Sequence, residues 1–301
     1  MDGGAWFISI IVTLGLIVAF VLTFVPFCAR WSAYRHSANI RIDLPARLER
    51  TVAARLMARS RGGSLGGLVF TAAAAVAFHF EIGVNNDSQL TSLFIIGSTF
   101  AGVAAGTAVA ALTGSRAISA DRPRVARARA VAVSDYLAPF ELVGARIVVS
   151  AAVGVLLAST LFAAPGAGGS LFAIAFFAIF GALSLVFFEV ASRRIVDLSQ
   201  PAGSTAELVW DDAIRASALR DLVTAPLALG AYCLVFGIFG IAESSTHPAA
   251  ITVSYVVGGV FALTGLAAAI YSVATRPQRY FVERLWPNLR ASDIDLHADV
   301  A

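Results

Sequence analysis

Every basic side chain in this 301-residue chain is an arginine, 22 in all, and the arginines occupy only alternate gaps between seven long apolar stretches. Residues 30–61, 116–146, 193–220 and 276–290 carry them, while the N-terminus and the other three gaps carry none. Basic residues beside a span stay on the cytoplasmic face, so the alternation predicts both the number of crossings and their direction. The expected fold is all-α: a polytopic helical membrane protein of about seven transmembrane helices, N-terminus out and C-terminus in, forming a single integral membrane domain over 1–301.

Composition points the same way. Hydrophobic residues make up 58% of the chain and charged residues only 14%, where soluble domains carry about a quarter charged. The net charge of +3 does not call for nucleic acid, because orientation already accounts for the arginines. Their expected partners are the anionic lipid headgroups of the cytoplasmic face. Arginine without lysine is the usage of a GC-rich genome and points to a bacterial plasma membrane. The missing lysine also excludes a P-loop and any pyridoxal or retinal Schiff base, so the topology is not that of a rhodopsin. No cofactor is expected. Cys28 and Cys233 have neither redox nor metal spacing and read as reduced packing residues.

The spans are expected at about 5–27, 64–80, 91–113, 147–163, 171–191, 223–242 and 250–273. Each approaches the roughly 20 residues that cross about 30 Å of hydrocarbon. The first reads as a retained span, since no basic residue precedes its apolar run as a signal peptide requires. Trp6 and Trp31 bracket it as an aromatic belt would. Small residues recur four apart at Gly102 and Gly106 and again at Ser254, Gly258 and Ala262, which lets helices approach closely in lipid.

External connections are short, whereas the internal loops 28–63, 114–146 and 192–222 are long and the tail is 274–301. In the first internal loop Leu44, Leu48, Val52 and Leu56 follow helical spacing, with Arg47, Arg50, Arg55 and Arg59 interleaved after Asp43 and Pro45. Such a helix is expected to lie on the inner leaflet. Ser204 and Glu207 form a capping-box pattern, and Asp211 and Arg215 are spaced as an i,i+4 ion pair. Tyr280, Phe281, Leu285 and Trp286 among arginines read as another interfacial segment. Pro45, Pro123 and Pro201 stand 78 residues apart. Three helix–loop–helix units form one reading of that period, and the preference of proline for loops forms the other.

Few side chains suggest chemistry. Glu189 is the charge set inside a span, and an intramembrane carboxylate is a functional candidate by default. Arg193 follows at i+4, which favours an interfacial ion pair over a proton or substrate role. His79, Glu81, Glu243 and His247, with Asp87, form a candidate outer-face polar cluster. Their residue types suit zinc, but their separate loops and Pro248 favour a polar rim, and no metal is expected. Asp211-Asp212 lacks the distal aspartate with which membrane prenyltransferases hold magnesium-diphosphate, so Asp211, Asp212 and Arg215 read as a solvated helix face. No serine-hydrolase or metalloprotease motif occurs.

Two functions fit this pattern. The first is a non-catalytic, permease-like subunit or scaffold acting with a cytoplasmic protein partner, favoured by long internal loops in a chain without a nucleotide motif. The second is a self-sufficient transporter of a small or lipophilic solute.

Overall fold

The computed structural model describes residues 3–79, 88–114, 131–162, 168–197, 204–244 and 279–287, with the single positions 252, 256 and 289. Among the described residues there is no strand. The helices are α1 (Gly3–Leu22), α2 (Pro26–Ile40), α3 (Ala46–His79), α4 (Ser88–Gly114), α5 (Val133–Tyr136), α6 (Pro139–Phe162), α7 (Gly168–Asp197), α8 (Thr205–Ser244) and α9 (Tyr280–Leu285).

Four of them hold stretches long and apolar enough to cross a membrane: Phe94–Thr113, Pro139–Leu161, Leu171–Asp197 and Thr205–Ile238. A fifth candidate is α1 with α2, which meet at 91°. Large apolar side chains point outward along these helices, among them Leu14 and Val18 on α1, Ile147 and Leu157 on α6, and Leu183 and Val186 on α7. Exposed apolar surface on this scale needs lipid as its solvent, so this is a membrane protein built on transmembrane helices. The expected stretch 64–80 falls, up to His79, in the second half of α3, which packs along α4. The last expected span, 250–273, lies outside the described residues except for the helical positions Thr252 and Val256.

The contacts show which way each helix runs. Gly62 faces Gly106 and Gly66 faces Gly102, so α3 and α4 are antiparallel. Gly230 and Gly237 of α8 meet Val148 and Val155 of α6 at one constant offset, so these two are parallel. Arg47, Arg55 and Arg59 of the α3 segment reach Ser204, Asp211 and Ser217, again at a nearly constant offset, which makes α3 parallel to α8. Helices α3, α6 and α8 therefore share a direction, and each begins at the arginine-rich end of the bundle.

Two of those three are far longer than a span. At 1.5 Å per residue the 40 residues of α8 reach about 60 Å, twice the hydrocarbon thickness. The 34 residues of α3 reach about 50 Å. Their polar first halves project beyond the apolar layer and bury a core of their own. Val52 and Leu56 of α3, Tyr136 and Leu137, Trp210 and Leu219 of α8, and Phe281 of α9 are among its buried members. The expectation that the first amphipathic segment and the tail lie on a leaflet is therefore revised. Their apolar faces are covered by protein.

Within the apolar layer a second core gathers Phe94, Phe177, Leu229, Cys233 and Phe236. Phe177 stacks on Phe236 at 5.3 Å and on Tyr232 at 5.6 Å. The Thr71 and Thr99 hydroxyl oxygens lie 2.7 Å apart across the two helices; one hydroxyl donates across this gap while the other donates to its own helix backbone. Such hydroxyl pairs join helices where no water competes.

Helix α2 ends at Arg41, whose φ of 55° closes the helix in left-handed geometry. Ser37 seals that turn by donating to the Ile42 carbonyl at 2.6 Å. With Arg30, Arg35, His36 and Asn39 along it, α2 is too polar for hydrocarbon and lies beyond the apolar end of α1.

Candidate functional site

The chemistry-bearing side chains meet at the arginine-rich end, where the first half of α8 acts as the hub. Ser204 accepts the Glu207 amide at 3.3 Å and starts that helix. Three neighbouring segments then face it. From α3, Arg55 donates to Asp211 at 2.7 Å, while Arg59 pairs with Asp221 and donates to Ser217. From α6, Glu141 accepts Arg220 at 2.8 Å. From α5 and the tail, the Tyr136 hydroxyl and the Trp286 indole N–H each donate to Asp212 at 2.8 Å, one to each carboxylate oxygen.

These placements separate the two adjacent aspartates. Asp212 is fully buried. It ties the second internal segment and the tail to α8. Asp211 is partly exposed and is shared by Arg55 and, at 3.6 Å, by Arg215 of its own helix. Both carboxylates are thus held by protein donors, which leaves neither open toward a diphosphate. Among the described residues, no three His, Cys, Asp or Glu side chains gather as a metal site.

Glu189 has a different partner from the one its spacing suggests. Arg146 of α6 reaches its carboxylate with Nε at 2.9 Å and a terminal nitrogen at 2.6 Å, whereas Arg193 is exposed and makes no ion pair with it. The i,i+4 rule counts neighbours along one helix only, and helix packing brings Arg146 closer. Of the outer-face cluster, His79 and Glu243 stand near the far ends of α3 and α8 with side chains outside the described residues. Glu81, Asp87 and His247 lie outside them altogether.

Asp43, expected as the cap of the first amphipathic helix, contributes its backbone instead. Its main-chain carbonyl accepts the Trp210 indole N–H at 3.2 Å and so pins the α2–α3 connection onto α8. The sequence reading missed His36, Tyr136, Glu141, Ser217 and Asp221. Only Ser217 and Asp221, one turn apart on α8, matched the four-residue spacing of Arg55 and Arg59. That signal is too weak to choose partners across more than 150 residues.

His36 sits where α2 meets α3 and α8, its ring 6.2 Å from that of Trp210. Burial, with Arg59 and then Arg220 adding to it, holds the imidazole down at about 4. Arg59 is itself paired with Asp221, and Arg220 with Glu141. Because the folded value lies below the unfolded one, the unfolded chain binds the extra proton first, so stability is complete above pH 6.5 and falls as pH drops toward 4. The His36 contribution is at most about 3 kcal/mol. Thermal unfolding in detergent should show the midpoint falling between pH 6.5 and 4.5, with a shallower fall in His36→Gln. Identical slopes in the two proteins would refute the assignment.

Compared with family models, with curated proteins and with solved structures, the chain matches none.

Proposed function

We propose that this chain is a multi-pass protein of a bacterial plasma membrane, with seven spans, the N-terminus outside and the arginine-rich end in the cytoplasm. There it acts as a non-catalytic, permease-like subunit or scaffold for a cytoplasmic protein partner. The single observation that carries the reading is the folded arginine-rich end. Three segments and a tail helix that could have lain separately on lipid are instead joined around Trp210 and Asp212 into one surface of fixed shape. A fixed surface outside the hydrocarbon suits docking, because little ordering entropy is lost when a partner binds. The shared direction of α3, α6 and α8 supports the alternation of crossings, and the positive-inside rule supplies the side. The carboxylates here already have protein partners, which speaks against a catalytic role for them.

The test is purification of the tagged full-length protein from its own membrane in mild detergent, with mass spectrometry of what accompanies it. A stoichiometric cytoplasmic protein that co-purifies with the wild type is the expected result. A chain that emerges alone and moves solute in liposomes would overturn the proposal in favour of a self-sufficient transporter. In that case Glu189→Gln should abolish flux. Under the subunit reading the same variant changes little, because an exposed pair such as Glu189–Arg146 contributes only about 0.2–1 kcal/mol.

A further inference from the structure

We propose that the cleft between α2, α3 and α4 at the arginine-rich end binds a phosphate group, carried either on a phospholipid or on a free anion. The cleft holds about 270 Å³ and is lined by Ser32, Arg35, His36, Asn39, Arg59 and Ser60, over a floor of Leu56 and Thr107. That volume is at the small end of ligand pockets, enough for a phosphate and a few attached atoms.

Charge and hydrogen-bonding capacity select the ligand class. Two arginines line the cleft and no carboxylate does. Arg59 is held by Asp221 and Ser217, so it contributes its field while Arg35 contributes a guanidinium. Arg35 packs over the Trp31 ring at 5.1 Å, and it makes no ion pair with a described residue. Ser32, Asn39 and Ser60 make no side-chain hydrogen bond to any described residue. His36 Nε2 is buried without a hydrogen-bond partner. A guanidinium with no ion pair, and an amide and two hydroxyls with no side-chain hydrogen bond among the described residues, converge on one small concavity and match the several acceptor oxygens of a phosphate. Burial is the larger cause of the depressed His36 value, with Arg59 and then Arg220 adding to it.

The same helix favours the lipid as source. Phe27, Trp31 and Tyr34 lie along one face of α2 and are 75%, 54% and 54% exposed. Aromatic residues beside arginines, on a helix leaving a span at 91°, belong at the headgroup level of a bilayer. The lipid phosphate would enter from that side.

The experiment uses the full-length protein in detergent and follows its thermal midpoint on titration with inorganic phosphate, with short-chain phosphatidylglycerol, or with diacylglycerol of the same chains. Phosphatidylglycerol should raise the midpoint saturably and diacylglycerol should not. Arg35→Ala and Asn39→Ala should each weaken the apparent affinity at least tenfold, while Arg50→Ala, exposed on α3 outside the cleft, leaves it unchanged. A matching response to inorganic phosphate, lost in the same variants, would assign the site to a free anion. Absence of response to both phosphate probes, or equal weakening by Arg50→Ala, would overturn the proposal. Because the readout is binding, its failure would leave the partner-docking function untouched.

Discussion

Replacing Gly66 with leucine is expected to leave little folded protein in the membrane. Gly62 and Gly66 of α3 lie against Gly102 and Gly106 of α4, and a Cβ added at any of the four would overlap backbone of the opposite helix. At Gly66 the obstacles are the Gly102 carbonyl oxygen and the Gly106 backbone. Overpacking costs about 1–3 kcal/mol where side chains can yield. Here the only relief is separation of the helices, which would also break the Thr71–Thr99 hydrogen bond. A loss of about 4 kcal/mol or more follows, among the largest single-residue effects. Gly154→Leu is the control, because a Cβ at Gly154 meets nothing within 4 Å. Thermal unfolding and steady-state abundance should both drop for Gly66→Leu and hold for Gly154→Leu. Equal midpoints would mean that α3 and α4 do not pack through their glycines.

The second large effect is expected from Asp212→Ala. That change removes the acceptor of two buried donors, the Tyr136 hydroxyl and the Trp286 indole N–H. Hydrogen bonds to a charged acceptor contribute about 1.5–3 kcal/mol each, and donors stranded in a core add a desolvation cost. The loss should reach about 4 kcal/mol. The tail should loosen first, since Trp286 holds it to α8, so limited proteolysis near residues 280–287 should accelerate before global unfolding does. Asp212→Asn keeps one acceptor oxygen and should cost roughly half as much. Asp211→Ala should cost only about 1 kcal/mol, because Asp211 and its partner Arg55 both remain partly in contact with solvent. If the two aspartates prove equally sensitive, the burial difference between them is not what matters.

What could be seen in the sequence follows from the range of the forces involved. The placement of arginines reports an interaction with the membrane that each segment makes for itself, so apolar stretches and their alternation were legible. Ser204 before Glu207 was legible for the same reason, as a contact within one turn. The partner of Glu189 was not. Local spacing offered Arg193, while the packing of α6 on α7 supplied Arg146. Gly102 and Gly106 announced a close approach, but nothing local identified Gly62 and Gly66 as the surface approached. The arginine ladder of α3 looked like a lipid-binding face because its acids, Asp211 and Asp221, are encoded far away. The cleft beside His36 was invisible for the same reason, being assembled from three helices.

That distance has a consequence for how the chain is made. Arg55 and Arg59 meet their acids across 156 and 162 residues. At a synthesis rate of about 5–20 residues per second, α3 must wait roughly 10–30 s for α8 to emerge. Throughout that interval the two guanidiniums lack the acids they meet in the folded chain, and Glu141 lacks Arg220. A ribosome that stalls before residue 211 would release an α3 whose Arg55 and Arg59 have no acids. Completion of α8 is thus the event that converts a nascent chain with loose charges into a closed one.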